Sequence, residues 1–285
     1  MSIPPPRILA IAGSDSSGGA GIQADIKTIT RLGGYAMTAI TAITAQNTIG
    51  VQAVEKLSGE MVLQQIASCV EDIGVDAIKI GMLGSEDIVR AVAAALVAAP
   101  EIGARSAEGY ARKPKPPGLE RFPIVLDPVM VATSGAQLAD DATISAMRQR
   151  LFPLATVLTP NQPELELLAG RTLPDRDAIY EASAQLAEQY GCHVLAKGGH
   201  GAGATVTDLL VKPGGSAVAF DHHRIETRHT HGTGCTLSSA IATLLGHGQG
   251  IDHAVRLGRQ FVFKAIEAAP GLGLGNGPLG HHAVS

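Results

Sequence analysis

The chain has 285 residues, within reach of one large α/β domain or two small ones, and 45% hydrophobic content is ample for a sizeable core, so disorder is not the default. A net charge of -4 gives no reason to expect nucleic acid or an anionic membrane as partner, and 3% aromatic content without tryptophan argues against a stacking platform for single strands. Cys69, Cys192 and Cys235 lie far apart with no Cys-x-x-Cys pair, so neither a disulfide framework nor a zinc site is suggested. Residues 1–6 lack the basic and apolar blocks of a secretory signal, and no apolar run is long enough to span a bilayer. The expected setting is the cytoplasm.

Residues 7–12 are a short apolar run ending in Gly13-Ser14-Asp15-Ser16-Ser17-Gly18-Gly19, after which Ile22, Ile26 and Ile29 recur at helical spacing. This is strand, glycine-rich loop, helix, and such a loop lies where open α/β sheets place ligands. The glycine spacing does not match a dinucleotide fingerprint. Asp25, in the first turns of that helix, reads on its own as a solvated acid. Residues 35–43 and 51–57 read as strands that together form an edge flap, with Gln46 between them. Val62, Ile66, Val70 and Ile73 mark a helix, residues 76–80 a buried strand ending in Gly81-Met82-Leu83-Gly84, and Ile88, Val92 and Leu96 the next helix. Proline and basic residues without apolar periodicity make 100–122 an expected exposed insertion within a single domain spanning 1–285.

A strand returns at 123–130, with Asp127 at its end, and a helix is expected at 142–151. Asn161 and Glu164 stand one helical turn apart, so with Asp127 their oxygens form a hard set of the kind Mg²⁺ accepts, directly or through water. Taken in isolation, the same two residues read strongly as a helix cap. After a helix at 178–190, the strand 193–197 delivers Lys197 beside Gly198-Gly199-His200, either at the surface or against a nucleotide phosphate. Residues 203–211 and 216–228 read as antiparallel strands, the last helix carries Ile251, Val255, Val262 and Ile266, and 271–285 reads as a flexible tail. The histidines show no ligand spacing, and His281-His282 is expected to be solvated. Alternating strands and helices imply an α/β fold with a doubly wound, mainly parallel sheet.

His231-Gly232-Thr233-Gly234-Cys235-Thr236 runs directly into a helix of small and apolar residues. Glycines let the backbone aim its amides at one point, and first-turn amides have no partner inside the helix, so the junction suits an anion. The positive helix end is expected to lower the pKa of Cys235 and make it a candidate base. The alternative is a packing turn with an ordinary buried cysteine.

In order along the chain, Ala12-Gly13-Ser14-Asp15 through Asp25-Ile26-Lys27, Ala45-Gln46-Asn47-Thr48, Lys79-Ile80-Gly81-Met82-Leu83, Leu126-Asp127-Pro128-Val129-Met130, Thr159-Pro160-Asn161-Gln162-Pro163-Glu164, Lys197-Gly198-Gly199-His200 and His231-Gly232-Thr233-Gly234-Cys235 closely resemble the hydroxymethylpyrimidine/phosphomethylpyrimidine kinases, a thiamine-biosynthesis branch of the ribokinase-like superfamily. The resemblance implies an enzyme that uses ATP and Mg²⁺ to phosphorylate a pyrimidine alcohol and then its monophosphate. It implies that Gly232, Thr233 and Gly234 cradle the transferred phosphoryl group, and that Cys235 stands where sugar kinases of the superfamily carry an aspartate base. Lys197, Asn161 and Thr233 would contact the nucleotide, and Asp127, Asn161 and Glu164 would hold the metal, mostly through water. The pyrimidine would be read by Gln46, the Gly13 backbone and Asp25, with Met82 and Val129 or Met130 against the ring. A homodimer through the flap is implied as well. A pyridoxal kinase of the same superfamily is the nearest rival, and a non-catalytic pyrimidine- or nucleotide-binding protein the rival from another class.

Overall fold

The computed structural model describes residues 4–102, 122–130, 138–199 and 203–284. Most of the expected 100–122 insertion, and His200, therefore lie outside the described residues. The chain runs β1 (Arg7–Asp15), α1 (Gly21–Arg31), β2 (Tyr35–Gln46), β3 (Val51–Lys56), α2 (Gly59–Asp72), β4 (Ala77–Ile80), α3 (Glu86–Ile102), β5 (Ile124–Leu126), α4 (Asp141–Arg150) and β6 (Val157–Leu158). It continues through α5 (Gln162–Ala169), α6 (Arg176–Tyr190), β7 (His193–Ala196), β8 (Thr205–Val211), β9 (Ala217–His223), α7 (Thr233–Gly246) and α8 (Ile251–Glu267).

Among the described residues the strands form one sheet in the order β3-β2-β1-β4-β5-β6-β7-β8-β9. The six from β2 to β7 pair in parallel, β3 adds antiparallel to β2 as the expected flap, and β8 and β9 add antiparallel at the opposite edge. Alternation along each central strand feeds two cores. Leu9 and Ile11 of β1 join the core under α2 to α6, whereas Ile8 and Ala10 join the core under α1, α7 and α8. The chain order reverses between β1 and β4, so the loops following these strands part and leave a crevice at their carboxyl ends. The loops after β5, β6 and β7 open on the same edge.

α7 is buried at every position from 236 to 245, a helix without a solvated face. Its polar residues are satisfied internally: Thr236 Oγ1 meets His281 Nε2 at 2.8 Å, Ser238 Oγ donates to Gly234 O at 2.9 Å, and Thr243 Oγ1 donates to Ser239 O at 2.7 Å. A helix so enclosed is fixed in place, and its N-terminus is held at the mouth of the crevice.

The expectation of a flexible tail is corrected. Residues 275–284 pack back over the domain: Asn276 N donates to Thr48 O at 2.9 Å, His231 N to Gly277 O at 3.1 Å, and Gly280 N to Ala265 O at 2.8 Å. Arg31 Nε donates to Val284 O at 2.6 Å, and Leu279 and Val284 pack with Phe261 and Ala265. Glycine-rich composition here serves close approach, since a side chain on Gly275 or Gly280 would collide with the Thr48 or Ala268 carbonyl. His281, expected in solvent, is 3% exposed, and burial pushes its imidazole down to about 4.

A histidine that resists protonation when folded adds stability that is complete above its unfolded value near 6.5 and is lost as pH falls toward 4. Thermal melts of wild type and His281→Gln at pH 7 and pH 5 are expected to differ: wild type loses about 2 kcal/mol more on acidification than the variant. Equal losses would contradict the burial of a neutral His281.

Candidate active site

Two glycine loops cross at the crevice. Gly232, the residue before α7, has φ +88°, and a side chain there would collide with the Gly19 carbonyl; a side chain on Gly19 would strike the His231 ring. Asp15 ties the crossing together. Its Oδ2 accepts from Gly19 N at 3.1 Å, Ala20 N at 2.8 Å and His231 Nε2 at 2.8 Å, and its Oδ1 accepts from Ser17 N and Oγ at 2.9 and 2.8 Å. Burial alone would raise this carboxyl, but the His231, Ser17 and Ala20 bonds hold it well below the usual carboxylate range. The Asp15–His231 pair was not among the residues singled out in the sequence, although both lie inside motifs that were.

This crossing leaves the start of α7 open. No side chain caps the helix, and among the described residues the amides of Gly234 and Cys235 have no acceptor. They face a cavity of about 720 Å³ lined by residues from every loop at this edge of the sheet. Asp127 and Lys197 stand beside them: a Cβ on Gly234 would lie 3.1 Å from Asp127 Oδ2 and 3.3 Å from Lys197 Nζ. The junction thus combines free amide donors, a helix N-terminus and an ammonium.

Asp127, Asn161, Glu164 and Lys197 all line the cavity. Lys197 Nζ is 2.7 Å from Asp127 Oδ1 and 4.0 Å from Glu164 Oε2, and Asp127 Oδ1 also accepts from Thr159 Oγ1 at 3.0 Å. Burial by itself would lower Lys197, but the two carboxylates hold it above its ordinary value. The capping reading of Asn161 and Glu164 is realised in full: Glu164 N donates to Asn161 Oδ1 at 2.9 Å and Asn161 N to Glu164 Oε2 at 2.8 Å. Among the described residues no three His, Cys, Asp or Glu side chains converge into a metal cage. The donors fit a hydrated divalent cation held through water, with cap and lysine occupying part of the oxygen set. Burial, with Asp127 adding to it and Lys197 opposing, pushes the Glu164 carboxyl up to about 7.

On the β1–β4 side, Met82 covers Gly13 so closely that any side chain at 13 would strike the Met82 methyl group. Thr41 Oγ1 donates to Met82 O at 2.7 Å and anchors that loop to β2. Gln46 is placed by Ser16 Oγ, which donates to Gln46 O at 2.9 Å, and its Nε2 lies 3.4 Å from His231 Nε2. Gly13, Gln46, Met82, Val129 and Met130 all line the cavity.

Two expectations are corrected here. Asp25 is fully buried and absent from the cavity wall; its carboxylate is bound by Lys79 Nζ at 2.8 and 2.9 Å and by Ser239 Oγ at 2.7 Å. It is not a solvated helix-start acid, and its carboxylate oxygens are taken up by Lys79 and Ser239 rather than turned to the cavity wall. Cys235 does line the cavity, yet its thiol is pushed up to about 11. Burial is the main cause and the Asp25 and Asp127 carboxylates add to it, which together outweigh Lys79 and the Gly21 backbone hydrogen bond.

Fold and site together define a small-molecule kinase of the ribokinase-like class: a doubly wound sheet whose last loop opens a helix toward an anion, with a lysine beside it. Comparison with known proteins narrows this. The family described as phosphomethylpyrimidine kinase matches residues 15–104 and 117–280, and the chain belongs to that family. It is 41% identical over 278 residues to the hydroxymethylpyrimidine/phosphomethylpyrimidine kinase of Bacillus subtilis, covering 97% of this chain and 95% of that one. It is also 41% identical to the thiamine biosynthesis bifunctional protein ThiED of Geobacter sulfurreducens, where it covers 96% of this chain and spans 52% of the relative's length. Among solved structures, a Bacillus subtilis pyridoxal kinase in complex with ADP superposes with a TM-score of 0.82 at 32% identity, covering 98% of both chains.

Gly232→Ala forces a left-handed residue to carry a side chain into the Gly19 carbonyl, so chemical denaturation is expected to show a loss of about 2 kcal/mol or more. An unchanged midpoint would contradict the crossing. A raised Glu164 supplies stability that is complete below pH 4.5 and lost as pH rises through 7. Glu164→Gln keeps the cap acceptor and is expected to stabilise the fold on the order of 2 kcal/mol at pH 8 and by little at pH 4. Melts at the two pH values check it; equal shifts would show that Glu164 is not raised.

Proposed function

We propose that the protein transfers the γ-phosphoryl group of ATP to the primary hydroxyl of 4-amino-5-hydroxymethyl-2-methylpyrimidine and then to the monophosphate so formed, within thiamine biosynthesis. The observation that carries this reading is the pair of unpartnered amides at Gly234 and Cys235, facing the cavity beside Lys197. In a loose phosphoryl-transfer transition state, charge builds on the three equatorial oxygens, and fixed donors aimed at them lower the barrier. The Gly234 and Cys235 amides supply the donors and Lys197 a point charge. Asp127 and Glu164, with Asn161, would hold Mg²⁺ through water, and a cation there would supply neutralisation of phosphate charge. Gln46 and the Gly13 backbone offer hydrogen bonds to the ring edge, and Met82 and Val129 offer apolar surface.

The two acceptors ask different things of Cys235. In the first step the hydroxyl oxygen bonds to the γ-phosphorus as the bond to the ADP oxygen breaks, and the hydroxyl proton passes to the Cys235 thiolate. The neutral thiol returns that proton to solvent before the next turnover. The monophosphate, with its second pKa near 6, already presents an anionic oxygen and needs no base. A thiol held near 11 is a strong base in the small fraction that is ionised, so the cost of its burial is met only in the first step.

The similarity to a pyridoxal kinase favours pyridoxal as a second acceptor, since its hydroxymethyl group would meet the same amides. We read the protein as cytoplasmic, a setting in which its three free cysteines would stay reduced. A homodimer would cover Tyr35, Ile43 and Val54, exposed along the flap, and light scattering at micromolar concentration tests it.

Cys235→Ala is expected to slow the first phosphorylation by 10²-fold or more and the second by less than about fivefold. The wild-type first step is expected to accelerate by about tenfold per pH unit between 7 and 9, following the thiolate fraction, while the second stays nearly flat. Equal losses in both steps, or a flat first step, would rule out the base role.

A further inference from the structure

β4 is buried at all four positions, and its third residue is a lysine. An ion pair fully out of water gains little stability over an apolar pair of the same size, so Lys79 and Asp25 are not accounted for by the fold alone. Their placement is specific. Lys79 projects to the α7 side of the sheet and bends toward the carboxyl end of β4, where a Cβ on Gly81 would lie 2.8 Å from its Nζ. Asp25 of α1 grips the ammonium with both oxygens, at 2.8 and 2.9 Å, and Ser239 of α7 donates to the same carboxylate at 2.7 Å. Ser239 is four residues after Cys235, so the two share one face of α7 and the cluster lies one turn behind the thiol.

We propose that Lys79 is a positioning residue for the alcohol phosphorylation, its ammonium, locked between Asp25 and Ser239, serving as the buried counter-charge of the Cys235 thiolate. The assignment rests on the reading of Cys235 as the base of the first step. The other charges that face the thiol are Asp25 from α1, Asp127 after β5 and Lys197 after β7. Of these, Asp127 and Lys197 are engaged with each other at 2.7 Å at the cavity wall. Asp25 opposes a thiolate, and Lys79 favours it more strongly than Asp25 disfavours it. With Lys79 in place the proton can move from the substrate hydroxyl to sulfur and leave to solvent without any group entering the cavity. The second step, whose acceptor is already anionic, makes no call on the cluster.

Lys79→Met alone would strand Asp25 in the interior, so the working protein is Lys79→Met/Asp25→Asn, a neutral pair of similar size. Iodoacetamide is used as the probe, and alkylation of the Cys235 peptide is followed by mass spectrometry at pH 8, alongside rates of both phosphorylations from pH 7 to 9. The expected result is a severalfold to tenfold slower alkylation of Cys235 and an equal fall in the first phosphorylation, with the second within about twofold of wild type. A merely structural role would lower both steps together. Unchanged alkylation, or equal loss in the two steps, overturns the assignment. Cys235→Ala separates the failures: if it is selective for the first step while the double variant leaves alkylation unchanged, only the role of Lys79 falls. If Cys235→Ala slows both steps equally, the base reading falls and the assignment with it.

Discussion

The site depends on one steric constraint, the crossing of two backbones at Gly19 and Gly232. Because neither position can hold a side chain, the last loop passes directly under the first and delivers α7 with its opening amides turned into the crevice. Asp15 locks the crossing by accepting hydrogen bonds from the first loop and from His231 of the last. Burial of α7 on all sides then converts a local turn into a fixed donor array, since the helix has no room to tilt. The carboxy-terminal segment adds a further tie, joining Thr48 at the tip of the flap to His231 at the start of the loop that opens α7.

Around that array the charges are arranged in two depths. At the wall, Lys197 is neutralised by Asp127 and approached by Glu164, so its ammonium is not left unpaired beside the amides of α7. Behind the wall, Lys79 and Asp25 form a second pair without solvent contact. Cys235 feels the charges of both pairs, and its thiol is kept protonated by burial with the carboxylates adding to it; under the proposed function it serves as base for the alcohol acceptor alone. The raised Glu164 belongs to the same economy of charge: an acidic pair that repels itself until a cation or a proton joins it.

Much of this was legible in the chain. Glycine loops after apolar runs marked the strand ends, period-2 and period-3.6 patterns gave the sheet and its helices, and the open start of α7 followed from Gly232-Thr233-Gly234 before a run of small residues. What failed to show has a common physical origin. Asp25 reads as a helix-start acid until α1, β4 and α7 are packed together, because its partners Lys79 and Ser239 lie 54 and 214 residues away. The helix end beside Cys235 is a local feature and visible; the desolvation that outweighs it comes from tertiary packing and is not. The glycine-rich carboxy terminus signals freedom by composition, yet its acceptors at Thr48 and Ala265 exist only in the fold. One clue was available: a lysine inside the buried run Asp76-Ala77-Ile78-Lys79-Ile80 requires a partner.

Under the proposed function, one amide corner serves two successive acceptors on the same pyrimidine. The direct measurement is ³¹P NMR of wild-type protein with Mg-ATP and 4-amino-5-hydroxymethyl-2-methylpyrimidine, with pyridoxal in a parallel reaction. The pyrimidine monophosphate is expected to appear first and to convert to the diphosphate as a second equivalent of ADP forms. A reaction that stops at the monophosphate, or turnover of pyridoxal alone, would contradict it.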